Sequence, residues 1–220
     1  MSKRNNKEPN ENFAQSVSVV ARVGGATFIS ILAGFIKLKM AAILLGPAGL
    51  GLIGLFQQLL TTFSAFFSFG LREVGTQQIA SKRKTSSVSA LELFLSDFKL
   101  MGIFLSFLGS IVTLVAGQLY FDYLQPSFSI GNDLIWLGFG VGLTIFSGVQ
   151  QSILNGYRLT KQLALITLVG SILSALLASV FLAIMGDEAV VLYVVSSALV
   201  TFFLGAFYVQ SIPEYSSRSR

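Results

Sequence analysis

The stretch GFIKLKMAAILLGPAG, residues 34–49, belongs to a long apolar run that nevertheless contains two lysines, Lys37 and Lys39. Two segments of about twenty apolar residues meet in this stretch, near 22–45 and 50–71. That length is what an α-helix needs to cross a hydrocarbon core. The apolar runs are continuous and do not alternate with a period of two, so they predict membrane-spanning helices and not a closed barrel.

The rest of the chain repeats this pattern. Of the 220 residues, 53% are hydrophobic and only 11% are charged, a composition typical of an integral membrane protein. The sequence therefore predicts an all-α bundle, a six-span lobe over residues 17–210 between cytoplasmic tails at 1–16 and 211–220. The six predicted spans lie near 22–45, 50–71, 100–121, 134–154, 163–185 and 189–209.

Several classes of function are disfavoured by what the chain lacks. It contains no cysteine and no histidine, which removes disulfides, thiol nucleophiles, common metal ligands and the usual general base. It also contains no GxxxxGK[ST] phosphate-binding loop. The net charge of +5 is distributed in short clusters between apolar spans, which indicates membrane topology and not nucleic-acid binding. We therefore expect neither an enzyme nor a cofactor nor a metal site.

The basic residues predict the orientation in the membrane. They fall on one side of the six spans. The charged residues of the third and fifth connections are all acidic: Asp122, Asp133, Asp187 and Glu188. Because cytoplasmic loops carry an excess of Lys and Arg, both termini are predicted to be cytoplasmic. The polar leader lacks the features of a cleaved signal peptide and is predicted to be a cytoplasmic tail. The one-sided cations are Lys3, Arg4, Lys7, Arg22, Arg72, Lys82, Arg83, Lys84, Lys99, Arg158, Lys161, Arg218 and Arg220.

Lys37 and Lys39 do not fit this distribution. Lys37 follows Arg22 by fifteen residues, roughly 22 Å along a helix, which places it in the outer half of the membrane. Either lysine could extend its ammonium to the lipid headgroups, or it could face a polar cavity. Helical phase places Lys37 on a small, polar face with Ser30 and Gly34, and Lys39 on a bulky apolar face with Phe35. The phase therefore favours Lys37 as the inward residue.

Polar side chains in other spans are further candidates. Gln57 and Gln58 lie in the second span, and Gln151 and Asn155 fall on one stripe of the fourth span. Because lipid does not accommodate amides, these residues either form hydrogen bonds between helices or line a cavity. Two stripes of small residues are interpreted as packing seams: Ser106, Ser110, Thr113 and Gly117 in the third span, and Thr167, Ser171, Ser174 and Ala178 in the fifth.

The charges inside the spans indicate the kind of ligand. Lysines occur at membrane depth, whereas no Asp or Glu lies deep in any predicted span. The spans thus contain no evident proton relay and no anionic seat for a cationic drug. This combination predicts an anionic ligand.

Residues 33–80, AGFIKLKMAAILLGPAGLGLIGLFQQLLTTFSAFFSFGLREVGTQQIA, resemble the first two spans of Wzx-type flippases, the exporters of O-antigen and other polysaccharides. ILNGYR, residues 153–158, resembles the end of the fourth span in the same family, and LGPAGLGL is the most specific element. The resemblance implies a protein of the bacterial inner membrane that moves undecaprenyl-pyrophosphate-linked oligosaccharide units from the cytoplasmic to the periplasmic leaflet. It also implies a cationic cavity between two six-helix lobes, surrounding membrane lipid, and a possible association with polysaccharide polymerase machinery.

The resemblance assigns some residues individually. A lysine at the position of Lys39, seven residues before Gly46, recurs in the family, while Lys37 aligns with an arginine of the related lipid II flippases. Gln57 stands where some relatives have arginine. Arg158 matches a family arginine, although its place near the cytoplasmic edge fits membrane topology equally well. The substrate-binding candidates are therefore Lys37, Lys39, Gln57, Gln58, Gln151 and Asn155.

The resemblance covers nearly the whole chain from about Phe13 and implies that it corresponds to the N-terminal one of two six-helix lobes. We expect the second lobe to come from a missing half of the same protein, from a split partner or from a second copy. We favour the first of these, in which this chain is a fragment or a truncated product. A single lobe is a poor transporter because it exposes the face that should meet its partner. The alternatives are a non-transporting lobe that scaffolds a polysaccharide assembly complex, and a drug or cation exporter of the same superfamily, which the missing buried carboxylates disfavour.

Overall fold

A computed structural model describes residues 8–85, 88–124 and 131–212. Every regular element in these ranges is helical, which confirms the predicted all-α class. Residues 1–7 and 213–220 of the predicted tails lie outside the described residues, and with them Lys3, Arg4, Lys7, Arg218 and Arg220, whereas residues 8–16 of the predicted N-terminal tail are helical. The elements are α1 (Glu8–Ser68), α2 (Leu71–Thr85), α3 (Val88–Leu124), α4 (Gly131–Gly156), α5 (Thr160–Met185), a short 3-10 turn (Gly186–Ala189) and α6 (Val190–Gln210).

Among the described residues, five helices are long and apolar enough to cross a membrane, whereas the sequence predicts six spans. The difference arises in α1, because the first two predicted spans form one helix with a break at a single residue. Gly46 has φ 66° and ψ −167°, and Pro47 follows it immediately. We call residues 8–45 the first arm of α1 and residues 47–68 its second arm.

Contacts with α6 and α4 show that α1 folds back at Gly46. The Nζ atom of Lys37 lies 3.2 Å from Ser196 Oγ on α6. In the second arm, Leu60 lies close to Val195, the neighbour of Ser196. Both side chains surround Gly140 of α4: a methyl group placed there would lie 3.1 Å from Leu60 and 2.7 Å from Val195. In a straight helix, residues 37 and 60 would be about 35 Å apart. The two arms therefore lie against the same segment of α6.

α4 occupies the centre of the bundle. In the most apolar 18-residue stretch of α4, 72% of the residues are buried, whereas in the corresponding stretch of α1 only 11% are buried. Glycines allow this close packing: a methyl group on Gly142 would lie 3.2 Å from the carbonyl oxygen of Ser106 and would clash with Ser110 Oγ. The predicted packing seam of the third span, with Ser106 and Ser110, is thus in contact with α4.

α2 is a polar helix that connects the second arm of α1 to α3. It follows a turn in which Phe69 and Gly70 both have positive φ. Two close approaches fix it against the end of α4: Gly75 lies against Ser152, and Ile79 lies against Gly156. The end of α2 that carries Arg83 is therefore held beside the end of α4.

Candidate functional site

Lys37 points into the bundle from the first arm of α1. Its Nζ donates to the backbone carbonyl oxygen of Tyr193 at 3.0 Å and to Ser196 Oγ at 3.2 Å. The same ammonium lies 4.3 Å from the centre of the Tyr193 ring, within the range of a cation–π interaction. This is the inward orientation that the helical phase predicts.

A cavity of about 370 Å³ lies beside Lys37, bounded by the first arm of α1, α4, α5 and α6. It is much larger than one water molecule, which takes about 30 Å³ in the liquid. Lys37 provides its ammonium group and Gln151 its amide, and none of the described residues lining it carries a carboxylate. The remaining wall consists of Ser30, Gly34, Leu163, Ile166, Thr167, Gly170, Ser171, Ser174, Ser197 and Thr201.

The hydroxyl groups that α5 and α6 contribute to this wall donate to carbonyl oxygens of their own helices. Their oxygen lone pairs therefore remain available to the cavity, while their hydrogens are engaged. Lys37 has three N–H donors, and two of them are used by Tyr193 and Ser196. The third has no acceptor among the described residues, so Lys37 is the charged donor available to a ligand here. The hydroxyls concerned are Thr167, Ser171, Ser174, Ser197 and Thr201.

The wall corrects one interpretation made from the sequence. The small-residue stripe of the fifth span was expected to be a packing seam, but the structure places Thr167, Ser171 and Ser174 in the cavity wall. Ala178, which is fully buried, packs as expected, and so does Ser174, which is buried and whose carbonyl oxygen accepts a hydrogen bond from Ser196 Oγ on α6 at 3.5 Å. Small residues permit close helix packing, but hydroxyls on the same face also suit a polar cavity, and the partner helix decides between the two.

Lys39 lies on the opposite side of the first arm from Lys37. It is exposed, on the same outward face as Phe28, Leu32 and Phe35. The structure therefore separates the two lysines, since residues two apart on a helix point about 200° apart.

Gln57 and Gln58 belong to an exposed face of the second arm that consists mainly of polar and small residues, with the exposed Leu55 and Phe66 along one edge. Gln58 Nε2 donates to Thr62 Oγ1 at 3.3 Å, and Thr61 Oγ1 bonds to the backbone of its own helix. We call this face the polar strip. It comprises Gly51, Gly54, Gln57, Gln58, Thr61, Thr62 and Ala65, all exposed.

The predicted candidates thus occupy different places. The structure brings Lys37 and Gln151 together at the cavity and Gln57 and Gln58 together on the polar strip. Asn155 does not line the cavity; it lies near the end of α4, where its carbonyl oxygen accepts a hydrogen bond from the backbone of Arg158.

Sequence reasoning missed three residues of the lobe interior. Tyr193 and Ser196 hold the Lys37 ammonium, and Gln150 is 2% exposed with its Oε1 lacking a hydrogen-bond partner among the described residues. Gln150 precedes the candidate Gln151 and faces Gly205 on α6. The sequence contained a weak signal for Ser196, because Ser196 and Ser197 interrupt an otherwise apolar span.

Comparison with known proteins identifies the family. Residues 17–215 match the family model described as polysaccharide biosynthesis protein. No curated protein and no solved structure matches the chain significantly. The family match covers the helices that form both the cavity and the polar strip. The chain therefore belongs to the polysaccharide biosynthesis protein family.

Proposed function

We propose that the chain translocates undecaprenyl-pyrophosphate-linked repeat units of O-antigen or another polysaccharide from the cytoplasmic to the periplasmic leaflet. It acts as a transporter and not as an enzyme. Membership of the polysaccharide biosynthesis family supports a role in polysaccharide synthesis or export. Five long apolar helices support a membrane location.

The polar strip is the observation that carries this proposal. A helix face with two amides and two threonines is unsuited to lipid, because hydrocarbon offers no hydrogen-bond partner for amides. The exposed face of α3, by contrast, presents Phe104, Phe107 and Ile111 and suits lipid. The polar strip therefore borders a water-containing passage, where sugar hydroxyls find donors and acceptors.

The folded-back α1 supports a six-pass lobe with both ends on one side of the membrane, which the distribution of basic residues predicts to be the cytoplasmic side. Residues 24–45 and 47–68 each contain 22 residues, about 33 Å of helix, which matches a hydrocarbon core of about 30 Å. The passage forms where the polar strip faces a second six-helix lobe, provided by another part of the protein, a partner chain or a second copy.

Charged and polar side chains of the lobe are proposed to bind the anionic pyrophosphate of the substrate. An isolated ion costs tens of kcal/mol to place in hydrocarbon by Born estimates, so the pyrophosphate requires polar groups along its route. Lys37 and Gln151 in the cavity, and Gln57, Gln58 and Asn155 outside it, are the proposed contacts. A cell interior that is negative favours outward movement of an anion by about 2.3 kcal/mol per charge per 100 mV.

The proposal is tested by making the polar strip apolar. In a strain that lacks its own flippase and assembles a matching repeat unit, the complete transporter with Gln57→Leu and Gln58→Leu should reach the membrane but fail to export polysaccharide. The matched control is Gln210→Leu, the same amide-to-leucine change at the exposed end of α6. Accumulation of the lipid-linked unit on the cytoplasmic leaflet is the expected signature. Unchanged export in the double variant would contradict a passage along the strip and favour a scaffolding role.

A further inference from the structure

Three cations are carried by the ends of α2 and α4 and the start of α5, on elements that contact one another through α4. The guanidinium of Arg83, near the end of α2, stacks over the ring of Tyr157 at 4.4 Å. Arg158 is the next residue along the chain, and Lys161 lies in the first turn of α5. We call Arg83, Arg158 and Lys161 the basic cluster. The contact between Ile79 and Gly156 fixes the two helix ends that carry it.

The backbone of Arg158 is in a conformation that favours glycine. Its φ is +58°, and it closes α4 with a hydrogen bond from its own N–H to Asn155 and one from Leu159 N–H to Leu154. This pattern is the Schellman motif, and its left-handed position is usually occupied by glycine because other residues are strained there. An arginine at this position therefore carries a conformational cost that glycine would not, which points to a favourable contribution from its side chain.

That contribution is not an ion pair with a described residue. None of the three cations contacts a carboxylate among the described residues, and the sequence contains no Asp or Glu from residue 134 to residue 185. Lys82, the neighbour of Arg83, points elsewhere, with its ammonium 5.0 Å from the ring of Phe94 on α3. The cluster is thus an exposed concentration of positive charge with two planar guanidinium groups, one of them held by stacking.

Guanidinium groups bind phosphate oxygens in pairs, and a stacked guanidinium loses less freedom on binding. The cluster is on the predicted cytoplasmic side, at the membrane surface, where lipid phosphates lie. We infer that the basic cluster binds the diphosphate of the lipid-linked substrate before it enters the membrane interior. This inference rests on the proposed function. The diphosphate is favoured over single phosphates of bulk lipids because it presents more charge and more oxygens to a cluster of three cations.

The test separates binding from folding. The purified chain is titrated with undecaprenyl diphosphate in detergent, and thermal unfolding is measured in parallel without ligand. Arg158→Gly should unfold at a higher temperature, because glycine relieves the left-handed strain, yet bind the diphosphate about fivefold or more weakly. Arg83→Gln should also weaken binding, and Arg158→Lys should restore only part of it. The matched control is Arg72→Gln, about 16 Å away along α2, which should bind normally.

Two outcomes overturn the inference. One is equal affinity of Arg158→Gly and the unsubstituted chain for undecaprenyl diphosphate. The other is equally effective displacement of the diphosphate by phosphatidylglycerol at the same concentration, which would assign the cluster to bulk anionic lipid. The assay requires no transport, so its failure and a failure of the proposed function are distinguishable. If Arg158→Gly leaves both binding and export unchanged, the inference about the basic cluster is wrong, while the proposed translocation function is not contradicted.

Discussion

The ammonium of Lys37 on α1 is held twice by one residue of α6, because it donates to the carbonyl oxygen of Tyr193 at 3.0 Å and lies over that residue's ring at 4.3 Å. The first arm of α1 otherwise packs through small buried residues, Ala33 and Ala41 among them. Lys37 is therefore both the charged group of the cavity and a polar link between the first arm and α6.

Replacing Lys37 with glutamine in the complete transporter should abolish polysaccharide export at an unchanged protein level in the membrane. Glutamine removes the positive charge that the anionic substrate requires, while Lys37→Arg keeps the charge in a different shape and should retain part of the export. The measurement is surface polysaccharide in a flippase-deficient strain, with immunoblotting of the membrane fraction.

Lys39→Gln is the matched control for this prediction. Because Lys39 is exposed on the outward face of the same helix, its replacement should be nearly silent. If the two outcomes are exchanged, the resemblance to the flippase family is the better guide to the substrate contact. Export that survives the double replacement at normal protein level would leave neither lysine with a substrate role.

Gly46→Ala should destabilise the protein by about 1–3 kcal/mol, because only glycine tolerates its combination of φ 66° and ψ −167°. Gly54→Ala is the control, since a methyl group at either position would meet no atom within 4 Å. The two variants therefore differ in backbone conformation and not in packing. Thermal unfolding in detergent should show a lower midpoint for Gly46→Ala alone, and equal midpoints would argue against the break at Gly46.

Gly142→Ala should also destabilise the bundle, by about 1–3 kcal/mol, because its methyl group would press on the Ser106 carbonyl and on Ser110. Gly148, also within α4, has open space at the corresponding position. Alanine there should be neutral or stabilising by up to about 1 kcal/mol, since it reduces the entropy lost on helix formation. Denaturation of the two variants side by side is the measurement. A stable Gly142→Ala variant would mean that α3 and α4 are farther apart than described.

The orientation can be checked with introduced cysteines, because the natural chain contains none. Thr160, between Arg158 and Lys161, should be cytoplasmic, and Glu188, in the acidic turn before α6, should be periplasmic. A membrane-impermeant thiol reagent added to intact cells should modify Glu188→Cys and spare Thr160→Cys until the cells are opened. The reverse pattern would invert the topology.

The sequence determined the helical membrane class, the long apolar runs from which the membrane-length helices form, and the inward face of the first arm. These features follow from local properties: runs of about twenty apolar residues, and a helical repeat that places Lys37 with Ser30 and Gly34 and away from Lys39. The sequence predicts a connection between the first two spans near Gly46. That this connection is a single residue within one helix depends on backbone torsion angles, which residue identity does not specify.

Only the tertiary structure decided what those faces meet. Thr167 and Ser171 could equally have packed against a helix, and they line a cavity because Lys37 approaches from a helix that is distant in sequence. Likewise, the cations at 83 and 158 become neighbours only because Ile79 of α2 packs on Gly156 of α4. Periodicity assigns a residue to a face of its own helix, but the free energy of packing between helices determines whether that face meets protein, cavity or lipid.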